Sequence, residues 1–132
     1  MLAEFGPART PAADRMEAVL RTFAAHAADV EAGRAHSTIA QIGAEPVGFC
    51  SIEWQRPFWT DEVHAWLPDM IVSEAHRGRG IGRALLSDAL AHAGDRGAAQ
   101  VSLESGPART AAHALYRSMG FVETGRTFLI RR

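Results

Sequence analysis

Hydrophobic and polar positions along the chain fall into two periods, and the order in which those periods alternate predicts the architecture. From Pro11 to about Ala32, Met16, Val19, Leu20 and Phe23 recur at helical spacing. Thr10 suits the N-cap, Pro11 the first helical position and Gly33 the stop. This stretch predicts either one long helix or two short ones that break near His26. Ser37 to Ile42 alternates as a strand does, Gly43-Ala44-Glu45-Pro46 supplies turn chemistry, and Val47 to Trp54 reads as the returning strand of a hairpin.

Arg56 to Glu62 predicts a loop that carries Phe58 and Trp59. Val63 to Val72 is a third strand interrupted by Pro68, which cannot donate to a ladder and so marks a bulge or an edge. Gly80 to Ala93 is an amphipathic helix, with Ile81, Leu85 and Ala89 on one stripe and Leu86, Leu90 and Ala93 beside it. Ala98 to Leu103 predicts a fourth strand, Ala108 to Met119 a helix and Thr127 to Arg131 a last strand. A hairpin followed by strand, helix, strand, helix and strand predicts an α/β fold, a mixed and mostly antiparallel sheet flanked by helices.

Composition sets the limits. The 132 residues suit one domain spanning 1–132. With 47% hydrophobic and 22% charged residues the chain is globular rather than disordered. A net charge of −1 argues against bulk attraction to nucleic acid or to an anionic membrane. No run approaches the roughly 18–20 apolar residues of a membrane span, and the N-terminus lacks the pattern of a secretory signal. The single cysteine, Cys50, excludes an internal disulfide and sits in an apolar run, which makes it a buried small hydrophobe rather than a nucleophile. These features predict a reducing cytoplasm. All 14 basic residues are arginine; genome composition accounts for the absence of lysine, but not for where the arginines gather.

They gather in Arg77-Gly78-Arg79-Gly80-Ile81-Gly82-Arg83, between a strand and a helix. Glycines let a backbone turn tightly and approach a ligand, and amides at a helix N-terminus attract anions. The ligand should therefore carry phosphate. A P-loop needs a lysine the chain does not have, and neither glycine pair has the third glycine of a dinucleotide fingerprint. The other histidines, His26, His36, His76, His92 and His113, show no metal-ligand spacing, so no metal is expected. There is no Gly-x-Ser-x-Gly elbow of a serine hydrolase either.

Arg77-x-x-Gly80-x-Gly82, preceded by Met70-Ile71-Val72, resembles the acetyl-CoA motif of the GNAT N-acetyltransferases. A second segment, Ala112-x-x-Leu115-Tyr116-x-x-x-Gly120-Phe121, is similar to that family's following helix and strand. The resemblance implies an acyl-CoA N-acyltransferase-like fold with acetyl-CoA as co-substrate. It implies that amides of the loop from Arg77 through Gly78, Arg79, Gly80, Ile81, Gly82 and Arg83 hold the pyrophosphate. It implies also that Met70, Ile71 and Val72 offer backbone groups to the pantetheine arm, and that Tyr116 lies near the sulfur as proton donor. Direct transfer to an amine of a small molecule or peptide follows, with a non-catalytic acyl-CoA-binding module as the competing expectation.

A protonated amine must lose a proton before it attacks. His64 is the first candidate for the base, with Asp69, Glu53 and Glu104 as alternatives. Three departures from the family pattern stand out. Arg109 replaces a frequent asparagine and is a candidate for a coenzyme phosphate. A clear first strand is missing, since Leu2 to Phe5 is a poor substitute. The N-terminal helices are compressed, which predicts an open acceptor site, lined by Phe58, Trp59 and Trp66 or completed by a second copy in a homodimer.

Overall fold

The computed structural model describes residues 13–106, 108–125 and 128–131, with side chains from residue 20 onward. Leu2 to Phe5, Thr10 and Pro11 lie outside the described residues, as do Thr127 and the side chains of Met16 and Val19.

One helix, α1 (Ala13–Glu31), runs through His26 without a break and stops at Gly33, whose φ of 74° a side chain would resist. Strands β1 (Ala35–Ile42) and β2 (Glu45–Gln55) form an antiparallel hairpin. They are closed by the two-residue turn Gly43-Ala44, so Glu45 and Pro46 belong to β2 and not to the turn. The register shifts between Ala40 and Gln41, where Pro46 lies opposite Gln41; an irregular ladder tolerates the missing donor.

The expected third strand is two strands, β3 (His64–Leu67) and β4 (Met70–Val72), both antiparallel to β2. Glu53 pairs Trp66 and Cys50 pairs Met70, so Ser51 and Ile52 face three residues, Leu67, Pro68 and Asp69. Pro68 thus marks a bulge, which is bonded in place: the Ser51 amide donates to the Asp69 carbonyl at 2.9 Å and Ser51 Oγ to Asp69 Oδ2 at 3.0 Å.

After a 3-10 turn at Glu74–His76, α2 (Ile81–Asp95) crosses the sheet and delivers β5 (Gln100–Leu103), which pairs β3 in parallel. Helix α3 (Thr110–Ser118) follows. The sheet has five strands in the order β1-β2-β3-β5, with β4 beside β2.

Its core lies under α2 and α3. Cys50 and Ile52 of β2, Ala65 and Leu67 of β3, Leu85, Leu86, Ala89 and Ala93 of α2 and Tyr116 of α3 form one buried cluster. The period of two on the strands and the stripe on α2 meet there, as the sequence predicts. Phe49, of opposite parity to Cys50, faces α1 instead, with its ring centroid 6.4 Å from that of His26 in an edge contact.

On α1, Leu20 and Phe23 are exposed, because the helix packs mainly on β1 at the margin of the sheet. One expectation fails. The last strand is not formed over residues 128–131; Phe128, Leu129 and Ile130 are exposed and unpaired. Periodicity shows what a segment can do, but a strand exists only once it is paired. Among the described residues β5 pairs β3 alone, which leaves its other edge open.

Candidate functional site at the split of the sheet

The bulge at Pro68 and Asp69 separates the β3 and β4 ladders on β2. The β3–β5 ladder ends at Leu67 and Leu103. Beyond it β4 pairs β2, while the chain leaves β5 as Glu104, Ser105 and Gly106, and the two strands do not pair among the described residues. The glycine loop and the N-terminus of α2 lie at this end.

Gly78 and Gly80 hold φ of 80° and 82°, a region that glycine enters without strain. The first amide to return into α2 is that of Ala84, bonded to the Gly80 carbonyl at 3.0 Å. The amides of Ile81, Gly82 and Arg83 therefore have no helical acceptor and carry the positive end of the dipole. Gly82 brings the two motifs together: a Cβ there would stand 3.3 Å from Leu115 Cδ2 and 3.7 Å from Val72 Cγ2. Strand β4, loop and α3 thus close around one position.

The three arginines do not act as one cluster. Arg77 Nε donates to the Val72 carbonyl at 3.1 Å, which fixes the loop to the end of β4. Arg83 reaches across to α3 and donates to Ser118 Oγ at 2.7 Å. Among the described residues Arg79 alone of the three is exposed with no protein acceptor. Nothing in the sequence pattern shows which way an arginine on the first turn will point, and Ser118 gave no signal of its own.

Tyr116 is 8% exposed, with its ring centroid 6.0 Å from that of Phe121. Burial raises its phenol above the ordinary range and the Cys50 thiol nearby adds to this, while the Arg109 charge opposes it. Tyr116 lines a cleft of about 970 Å³ between β5 and α3, together with Glu104, Ser105, Arg109 and His113. Ser105 Oγ is buried there without a hydrogen-bond partner. A smaller cleft of about 450 Å³, lined by Gln55 and Trp66, shares Ser102, Leu103 and Glu104 with it. Residues 77–83 line neither cleft, whereas Arg109 lines the larger one with Tyr116.

The candidate bases separate in space. His64 opens β3, with Nε2 3.2 Å from Glu62 Oε2, and lines neither cleft. Asp69 accepts from Ser51, and Glu53 lies between Ala35 and Trp66. Glu104 alone of the four lines a cleft with Tyr116. Phe58 and Trp59 are exposed in their loop, and only Trp66 of the three aromatic candidates lines a cleft. The thiol of Cys50 is pushed up to about 11 by burial and by the charges of Asp88 and Asp69, which leaves it an inert core group.

The fold also joins residues that spacing did not. His36 of β1 and His92 of α2 stack with centroids 3.6 Å apart beside Asp88, although neither histidine was a ligand candidate. The available signal was Asp88-x-x-x-His92, a same-face pair on a helix. No described helix is long and apolar enough to cross a membrane.

The structure is a mixed α/β fold in which a glycine-lined helix N-terminus and a buried tyrosine on the next helix flank a mostly antiparallel sheet. The acetyltransferase (GNAT) family matches residues 4–121, and the chain belongs to that family. It is 42% identical to human N-acetyltransferase 8 over 90 residues, a match that covers 68% of this chain but 36% of that protein. Among solved structures, a chain from Agrobacterium tumefaciens str. C58 superposes with a TM-score of 0.75 at 28% identity, covering 85% of this chain and 76% of that one. An aminoglycoside acetyltransferase from an uncultured soil metagenomic sample superposes with a TM-score of 0.67 at 28% identity, covering 73% and 64%.

Proposed function

We propose that the protein is an N-acetyltransferase, contained in one domain, that moves the acetyl group of acetyl-CoA directly to a primary amine of a small molecule or peptide. The observation that carries this reading is Gly82, whose missing side chain lets Val72, the loop and Leu115 of the Tyr116 helix meet at one point. In this reading the amides from Gly78 to Arg83 and the side chain of Arg79 hold the pyrophosphate. Arg77 serves by pinning the loop to the Val72 carbonyl, and the edge of β4 away from β2, unpaired among the described residues, takes the pantetheine arm.

The amine nitrogen attacks the thioester carbonyl, the carbon–sulfur bond breaks, and Tyr116 gives its proton to the departing thiolate. A phenol held protonated by burial suits that role. Before attack the ammonium gives up a proton; Glu104, in the cleft of Tyr116, fits this task better than His64. The similarity to an aminoglycoside acetyltransferase supports a cationic amine acceptor. A cytoplasmic setting and a homodimer belong to the same reading.

The test is thiol release from acetyl-CoA across a library of amines, with melting followed in parallel. Stabilisation by acetyl-CoA together with amine-dependent thiol release supports the proposal. No stabilisation of the intact protein by acetyl-CoA refutes it. Binding without transfer to any amine would favour an acyl-CoA-binding module, a reading in which the buried ring of Tyr116 is only part of the core.

A further inference from the structure

Away from the split of the sheet, β1 and α2 hold a cluster that acetyl transfer does not use. Asp88 and His92 are one turn apart on α2, and His36 projects toward them from β1. His36 Nε2 lies 3.6 Å from Asp88 Oδ2, and His92 Nε2 lies 3.7 Å from Asp88 Oδ1. The three ligand atoms all fall within 4.8 Å of one another. Thr38 Oγ1 donates to Asp88 Oδ2 and lies 3.2 Å from His36 Nε2. The three side chains are 30–40% exposed, open to an ion from solvent and shielded on the protein side.

We propose that His36, Asp88 and His92 form a binding site for a borderline divalent transition-metal ion of the Zn²⁺ class, clipping β1 to α2. Two imidazoles and one carboxylate are the donor set such an ion prefers, whereas Mg²⁺ and Ca²⁺ need more oxygen ligands than one carboxylate supplies. Bonds of about 2.0–2.1 Å in a tetrahedron set ligand atoms roughly 3.4 Å apart. The two imidazole–carboxylate separations, 3.6 and 3.7 Å to different oxygens of Asp88, are a few tenths of an ångström longer; binding turns the half-exposed side chains toward one ion, and His36 Nε2 gives up its proton and its bond to Thr38 Oγ1. Three protein ligands leave a fourth position for water. Thr38 is a positioning residue: its hydroxyl fixes the Asp88 carboxylate, as partners of ligating carboxylates do.

The metal-stripped full chain is titrated with Zn²⁺, and with Co²⁺ to read the visible spectrum of a tetrahedral site. We expect one ion per chain, a rise in melting temperature reversed by chelator, and no comparable effect of Mg²⁺. His92→Ala and His36→Gln should each lose at least tenfold in affinity while melting like the parent without metal. Thr38→Val should weaken binding by about 10–100-fold, with Thr38→Ser restoring it. If a histidine variant does not fold, Asp88→Asn takes its place in the series. Absence of one-to-one binding, or binding that survives both histidine substitutions, overturns the proposal.

Discussion

Arg83 donates to Ser118 Oγ at 2.7 Å, and that hydroxyl donates in turn to the Leu115 carbonyl at 2.7 Å. The first turn of α2 is therefore stitched to the last turn of α3, and the Arg83 charge is aimed across the helices. Arg79 has no protein acceptor among the described residues, and in the proposed function its guanidinium meets the coenzyme. Arg79→Ala should weaken acetyl-CoA binding by about tenfold, the loss of one charge-assisted hydrogen bond, and more salt should shrink the difference. Arg83→Ala should leave affinity within about threefold and cost at most about 1 kcal/mol of stability. Calorimetric titration and denaturant melts separate the two.

Tyr116→Phe keeps the ring in its cluster and removes the proton. The expected result is a fall in kcat of about 10²–10⁴-fold with little change in coenzyme affinity. Because burial holds the phenol above its ordinary 10.0, the parent should show no alkaline loss of rate from this group until pH exceeds that value. Steady-state kinetics across pH read both effects.

If Glu104 takes the ammonium proton, Glu104→Gln should lower kcat/KM by about 10²-fold, most at low pH where little free amine is available. His64→Gln, at a residue that lines neither cleft although its ladder partners Gln55 and Gln100 do, should stay within a few-fold of the parent. An equal or larger loss in the His64 variant would return the role to the histidine.

Cys50 is 2% exposed, and its thiol titrates at about 11 instead of 9.0. A raised native value means that this group's contribution to stability is whole below pH 9 and is lost as pH rises toward 11. Alkylation at pH 8 should therefore be slow in the native state and fast once denaturant unfolds the chain. Rapid native labelling would show that the core opens more readily than its packing indicates.

At Gly48 a Cβ would stand 2.9 Å from Leu85 Cδ1, 3.2 Å from Ile81 Cγ2 and 3.3 Å from the Ile71 carbonyl. The backbone of β2 lies directly against α2 there. Gly48→Ala should cost about 1–3 kcal/mol in urea melts, since one of the three neighbours is backbone and cannot turn aside.

What the sequence made legible was local. The glycine loop, the stripe of Leu85, Leu86 and Ala89, the stop at Gly33 and the bulge at Pro68 each follow from chemistry within a few residues. What stayed hidden was pairing across the fold. His36 and His92 belong to separate elements, so no spacing rule joins them. The directions of Arg77 and Arg83 depend on Val72 and Ser118, which only the packed helices bring near. Leu20 and Phe23 have helical spacing but lie at the margin of the sheet, and Phe128 to Ile130 have strand composition but stay unpaired among the described residues, although β5 has an open edge.

The parallel ladder of β3 and β5 has a consequence for the order in which the molecule assembles. The β1–β2 hairpin closes through a two-residue turn, so its ladder grows from neighbours in sequence. Pairing His64 with Gln100 must instead close a loop that contains β4, the glycine loop and all of α2. Closures of that length are slow to form. Substitutions that weaken the β3–β5 pair should slow refolding and delay the recovery of coenzyme binding, while the hairpin forms on schedule.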